Sequence, residues 1–236
     1  MLDKDNWQRN LNKRDFLSLI ILVFFLFIYL EYVLFSRLLA ERYFDKGLDC
    51  LEKSRSTPGE MLDKKCSSYR NVLKLLKKSI KLNPYDSRAY FEYANVVTKI
   101  GDDPKLSVLL DVDSFVDSQR QQGLYNLAKV KYIEAILNEP TNAIYHQRLG
   151  SIYDKLSDFK KAEEEFKKAV LLDPQNISIC IYLSQYFLSK GRQDEFFYHL
   201  DRVLEIYKKA LRGGGPSVDM VEDFLKATGR ENLINK

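Results

Sequence analysis

The sequence predicts an all-α chain: a single N-terminal transmembrane helix followed by an α-α superhelix. Three observations carry that prediction. The stretch FLSLIILVFFLFIYLEYVLF, residues 16–35, holds a single charge, Glu31. Only 10 Gly and 6 Pro punctuate the 236 residues, and three of the prolines close helical stretches at a repeating distance. Within those stretches apolar residues fall at i, i+4, i+7 and i+8, the spacing of one helical face. A hydrophobic content of 45% beside 30% charge fits a globular core and argues against disorder. The net charge of +4 is too mild to point to nucleic acid or acidic substrates. Three cysteines without C-x-x-C spacing signal neither a zinc site nor a disulfide scaffold.

Residues 1–15 form a short tail, and residues 16–35 are the transmembrane helix. At about 1.5 Å of rise per residue, twenty residues span about 30 Å, the thickness of a bilayer core. Trp7 precedes the run and Tyr29 and Tyr32 stand near its far edge, where amphipathic rings favour the interface. Lys13 and Arg14 can extend outward at its start. The following SRLLAERYF lacks the small-x-small pattern of signal-peptide cleavage, which favours an uncleaved anchor. Glu31 lies close enough to the end to reach the interface, or else pairs with a neighbouring helix. Lys4, Arg9, Lys13 and Arg14 before the run nearly balance Arg37, Arg42, Lys46, Lys53 and Arg55 after it. A short tail ahead of a long domain inserts with its N-terminus in the cytoplasm. The expected location is therefore a single-pass membrane protein with its helical domain extracytoplasmic, as in a bacterial inner membrane.

Residues 36–66 read as a connecting helix and loop. No Gly or Pro interrupts residues 16–45, and Leu38, Leu39, Tyr43, Leu48 and Leu51 continue the helical pattern until SRSTPGE breaks it at 54–60. Cys50 and Cys66 bracket that loop, and outside the cytoplasm they could form a disulfide. From Lys64 to Lys81 the chain carries seven basic residues and no acid. Arg70, Lys74, Lys77, Lys78 and Lys81 follow helical spacing opposite Leu73, Leu76 and Ile80. This basic stripe is either a solvated face or a contact for anionic lipid or an acidic partner.

Beyond it the chain repeats. Helices end in LNP at Pro84, NEP at Pro140 and LDP at Pro174, with 34 residues between the last two and 56 between the first two. A fixed period of this length means stacked helical units. Residues 143–176 form one complete unit. Leu149, Gly150 and Tyr153 share a face of its first half, and Ala162, Phe166, Ala169 and Val170 share a face of its second. Asp158 is the natural N-cap between them.

These positions resemble the tetratricopeptide repeat: Leu149, Gly150, Tyr153, Ala162, Phe166, Ala169 and Pro174 stand at that family's signature offsets, with His146 in place of its opening Trp. In the same frame Tyr93, Ala94 and Gly101 belong to a first helix, and Ala128, Tyr132 and Ala135 to a second. An insertion near 102–123 separates them. Val72 and Leu76 suit an earlier second helix, where Ser79 replaces the usual Ala. Leu183, Phe187 and Gly191 suit a later unit, where Phe196 replaces the small Ala and predicts a splayed or terminal pair. The resemblance covers residues 67–211, and GGGP leads into a capping helix within 212–236.

No motif calls for catalysis, metal or cofactor. Glu163–Lys167 and Glu164–Lys168 are i,i+4 pairs, and three adjacent glutamates point about 100° apart, as on a solvated face. His146 and His199 have no ligand-spaced neighbours. DVDSFVD, with Asp111, Asp113 and Asp117, has Val116 where a calcium loop needs Gly. GGGP has no Lys-Ser/Thr partner. The resemblance implies a protein-binding scaffold whose first helices line a groove, by its frame at Arg88, Phe91, Asn95, Thr98, Gln147, Arg148, Ser151, Asp154, Ile181 and Gln185. Asn95 and Arg148 match the version that grips a C-terminal carboxylate, but Phe91 stands where its Lys is expected. Partners would be proteins in an envelope assembly, secretion or quality-control complex. The alternatives are a structural subunit embedded through its transmembrane helix, or an enzyme with its chemistry in the insertion.

Overall fold

A computed structural model describes residues 13–55, 62–109, 120–213, 217–230 and 233. Among them are ten helices and no strand: α1 Lys13–Arg55, α2 Leu62–Leu82, α3 Ser87–Asp102, α4 Pro104–Leu109, α5 Arg120–Asn138, α6 Ala143–Lys155, α7 Phe159–Leu172, α8 Ile177–Ser189, α9 Gln193–Gly213 and α10 Ser217–Ala227. They fall into two compact units that divide between Tyr85 and Asp86.

In the first unit the apolar run and the stretch behind it are one uninterrupted helix. Large side chains from Leu19 to Leu38 are exposed all round α1, and then one face is covered: Ala40, Phe44, Gly47 and Leu51 are buried. The cover is α2, whose buried face carries Val72, Leu73, Leu76 and Ser79. Ser79 Oγ donates to the Ala40 carbonyl at 3.0 Å, and a Cβ on Gly47 would sit 3.4 Å from Leu76 Cδ2. Going from 79 to 76 on α2 matches going from 40 to 47 on α1, so the helices run antiparallel. Residues 40–51 thus do more than connect; they form the first half of a hairpin whose second half is α2.

In the second unit α3 pairs with α5, α6 with α7, and α8 with α9. The closest approach within the matched unit is at Gly150, where any Cβ would meet the Phe166 ring at 2.6 Å. The same frame recurs in the caps. Asp86, Asn142 and Asn176 each stand two residues after Pro84, Pro140 and Pro174, with extended backbone and a side-chain oxygen that accepts an amide of the first turn. Asp158 caps α7 in the same way, from Lys161 N. Ser157 and Gly191, one period apart, both have positive φ, 62° and 71°, where the chain reverses into the second helix. Gly adopts that conformation freely and Ser does so at a cost.

At Phe196 the pair is terminal, one of the two alternatives expected, and it is packed rather than splayed. The Phe196 ring is fully buried in a cluster with Cys180, Leu183, Leu200, Val221 and Phe224. Cys180 and Ser184 on α8 are small and fully buried, which leaves room for a large ring on α9. α10 and Arg230, whose guanidinium lies 4.6 Å from the Phe196 ring centroid, close the end of the cluster. Of the insertion, α4 and the start of α5 are described; Asp111, Asp113, Val116 and Asp117 lie outside the described residues, as do Trp7 and most of GGGP.

Candidate functional site: the face of the first helices

Side-chain links tie α3, α6 and α8 into a row. Phe91 stacks on Tyr145 with centroids 4.6 Å apart, and Ser87 Oγ lies 3.2 Å from the Tyr145 hydroxyl. At the other end of α3, Lys155 Nζ donates to Asp102 at 2.6 Å. From α6 to α8, the Tyr182 hydroxyl donates to Ser151 at 2.7 Å and Lys190 pairs with Asp154 at 2.7 Å. First helices therefore sit next to one another in chain order, each held at two or more points.

Of the ten residues expected on this face, Arg88, Arg148 and Gln185 are exposed, and Phe91, Asn95, Thr98, Ser151 and Asp154 are half-buried. Gln147 and Ile181 are buried instead and offer little open surface. Several of the others are occupied locally. Arg88 forks onto the cap Asp86, with Nε–Oδ1 and Nη2–Oδ2 both at 3.0 Å. Asn95 Oδ1 accepts the Tyr132 hydroxyl at 2.7 Å, and Thr98 Oγ1 donates to the Ala94 carbonyl of its own helix. Burial pushes the Tyr132 phenol up to about 12, so it stays a donor. Arg148 and Gln185 are exposed, while Phe91 is half-buried between the Tyr132 and Tyr145 rings.

The run of three glutamates is not uniformly solvated, which corrects the reading from spacing. Glu165 is buried: its Oε2 lies 2.6 Å from His146 Nδ1, and its Oε1 accepts Lys168 at 2.7 Å. His146 Nε2 donates to the Pro140 carbonyl at 3.0 Å, so both ring nitrogens are used and the residue is a buried cross-brace. Glu163 pairs with Arg192 of the next unit rather than with Lys167. Among the described residues no group of three or more His, Cys, Asp or Glu side chains could hold a metal ion.

Sequence reasoning missed an open pocket of about 600 Å³ among α7, α8 and α9. Phe166, Val170, Leu183 and Phe187 line it, and Arg202 and Lys167 stand at its edge. His199 also lines it, stacked flat on Phe187 with an interplanar angle of 4° and with no hydrogen-bond partner for Nδ1. Burial, helped by Arg202, lowers its pKa to about 4. A lone His with no spaced partner gave no signal; only the packing of α7, α8 and α9 creates the space.

The basic stripe is exposed at Arg70, Lys74, Lys77, Lys78 and Lys81. Cys50 and Cys66, on α1 and α2, are free thiols, half-buried and buried respectively, and Cys180 is a buried free thiol in the second unit. Glu31 is exposed within the apolar run.

An all-helical chain of paired helices with this frame is a helical-repeat architecture, and comparisons with known proteins support the tetratricopeptide type. Residues 143–176 match the family model described as tetratricopeptide repeat. Over 190 residues the chain is 24% identical to TPR repeat-containing protein MJ1428 of Methanocaldococcus jannaschii, covering 71% of this chain and 33% of that one. Over 105 residues it is 30% identical to small glutamine-rich tetratricopeptide repeat-containing protein 2 of Saccharomyces cerevisiae, covering 44% and 28%. The chain thus spans about a third or less of the length of these curated relatives. Among solved structures, a monomeric mutant of IFIT1 with m7Gppp-AAAA is similar at a TM-score of 0.51 and 16% identity, over 72% of this chain and 42% of that one. That likeness is one of fold alone.

Proposed function

We propose that the chain is a membrane-tethered scaffold that recruits or organises protein partners through the face of α3, α6 and α8. The observation that supports this reading is the row itself: first helices linked in order, with Arg148 on α6 and Gln185 on α8 exposed. Repeats of this type serve as interaction scaffolds. Residues 16–35 are the tether, with the repeat domain extracytoplasmic and the partners in an envelope assembly, secretion or quality-control complex. The span from Ser18 to Lys53 has a mean hydropathy of 2.5 over its most apolar window and none of that window is buried.

A photo-cross-linker at Arg148 or Gln185 of the full chain in membranes is expected to capture a protein partner, while one at Lys160 on α7 captures none. Equal capture from both positions would end the face assignment, and a C-terminal reporter active only in the cytoplasm would reverse the topology. A second reading, a structural subunit packed through its own transmembrane helix, is favoured by the exposed Glu31 within the apolar run. It predicts that replacing residues 16–35 by an unrelated span abolishes function even when the face still captures its partner.

A further inference from the structure

The point where α1 leaves its apolar run carries more than the sequence suggests. Leu34, Phe35 and Leu38 are 61%, 65% and 67% exposed, whereas Ala40 is 1% exposed and Phe44 is 5%. The cover over Ala40 is the C-terminal part of α2, through the Ser79 hydroxyl, and Lys78 Nζ stands 5.1 Å from the Tyr43 ring centroid. Because the helices are antiparallel, α2 runs back toward the apolar segment. From Ser79 to its end at Leu82 it rises about 4.5 Å more, to about the level of Arg37. The hairpin thus places Lys77, Lys78 and Lys81, distant in sequence from the run, level with Arg37 and Arg42 of α1, and all five are exposed. The acids at this level are Glu41 and Asp45.

We infer that these five side chains form a basic collar that binds the anionic headgroups of the leaflet in which α1 emerges. The order of chemistry along α1 selects a lipid surface over an acidic protein. Apolar side chains, nearly all exposed, end within one turn of a band of cations drawn from two helices. A bilayer presents that sequence, hydrocarbon and then phosphate, around the whole circumference of a helix. Lysine stems can lie along the apolar border while their ammonium groups reach phosphate, and a negative leaflet attracts such juxtamembrane clusters over a Debye length. The inference rests on the tether reading but not on which side of the membrane the domain occupies.

The full chain is reconstituted in nanodiscs of phosphatidylcholine alone and of phosphatidylcholine with phosphatidylglycerol. Acylation rates of individual lysines are then followed by mass spectrometry, with exposed Lys160 and Lys209 as references. Lys77, Lys78 and Lys81 are expected to slow relative to the references by on the order of threefold or more in the anionic discs. High salt should reverse the effect. The wild type in mild detergent should also retain phosphatidylglycerol that the K77Q/K78Q/K81Q variant loses. Equal rates in the two lipids, with the chain retained in the discs, would overturn the collar and leave the tether standing. Slowing in both lipids alike would assign the protection to protein packing and overturn it too. Protection by added polyglutamate in neutral discs, at least as strong as that by phosphatidylglycerol, would replace the lipid by an acidic protein. A chain that fails to enter the discs, or that alkaline carbonate releases from them, would remove the tether itself.

Discussion

Gly150 shows how one side chain's absence sets the distance between helices. A Cβ there would lie 2.6 Å from two carbons of the Phe166 ring and 3.1 Å from the Ala162 carbonyl oxygen. Phe166 is fully buried and cannot retreat. Gly150→Ala is therefore expected to destabilise the chain by about 1–3 kcal/mol through overpacking. Gly123, early in α5, has nothing within 4 Å of the equivalent point. Gly123→Ala should instead gain up to about 1 kcal/mol, from the better helix propensity of Ala. Urea unfolding of the two variants side by side checks the contrast; a neutral Gly150→Ala would mean that the helices are not held this close. The FKKAEEEFKKAV stretch teaches the same lesson for charge. Spacing paired Glu163 and Glu164 with lysines four residues on, but it could not show that Glu165 turns inward to His146. That bond joins residues 19 positions apart on two helices, and only the packed hairpin brings them together.

Among elements, the α1–α2 hairpin is the one whose role the sequence understated. The helix continuing out of the apolar run was legible from the missing Gly and Pro and from Leu48 and Leu51. Its pairing with α2 was not, because residues 54–60 interrupt the 34-residue frame that marks the other pairs. Ser79 is the contact residue: it is fully buried and bonds the Ala40 carbonyl. Ser79→Ala, which restores the residue usual in such repeats, should cost only about 0.5–1.5 kcal/mol, the net worth of one hydrogen bond. Ser79→Leu should cost more, about 1–3 kcal/mol, because the added volume has to push α1 and α2 apart. Chemical denaturation of the full chain in detergent, monitored by a probe at Cys50, would resolve the two. Equal, small effects would show that the helices are not in contact there.

Over the whole molecule, pH dependence offers a test of the pocket among α7, α8 and α9. His199 falls from an ordinary 6.5 to about 4, chiefly because burial disfavours its charged form, with Arg202 adding to the effect and Glu195 opposing it. The folded chain thus holds a neutral ring where the unfolded chain takes up a proton. Its contribution to stability is complete above about pH 6.5 and is lost as pH falls from there toward 4. Melting temperature is expected to drop across that window, and His199→Phe, which keeps the stack on Phe187, should flatten the slope. An unchanged slope would show that His199 is solvated in the folded chain.

What the sequence determined alone is local and periodic. A twenty-residue apolar run, helix-ending prolines 34 residues apart, the Asp158 cap and the small residues of the 143–176 unit are each local features within a few turns of helix. They were sufficient for the all-α class and the repeat unit. The tertiary structure decided everything that depends on two distant segments meeting. It buried Gln147 and Ile181, turned Glu165 onto His146, admitted Phe196 to the core, opened a pocket at His199 and carried the lysines of α2 back to Arg37. Periodicity specifies which side of a helix is apolar, but the height at which a second helix crosses that side depends on packed volumes such as those of Gly150, Ser184 and Ser79. The sequence already offered the α2 stripe as a contact for anionic lipid; that height is why its grouping with Arg37 and Arg42 became visible only in three dimensions.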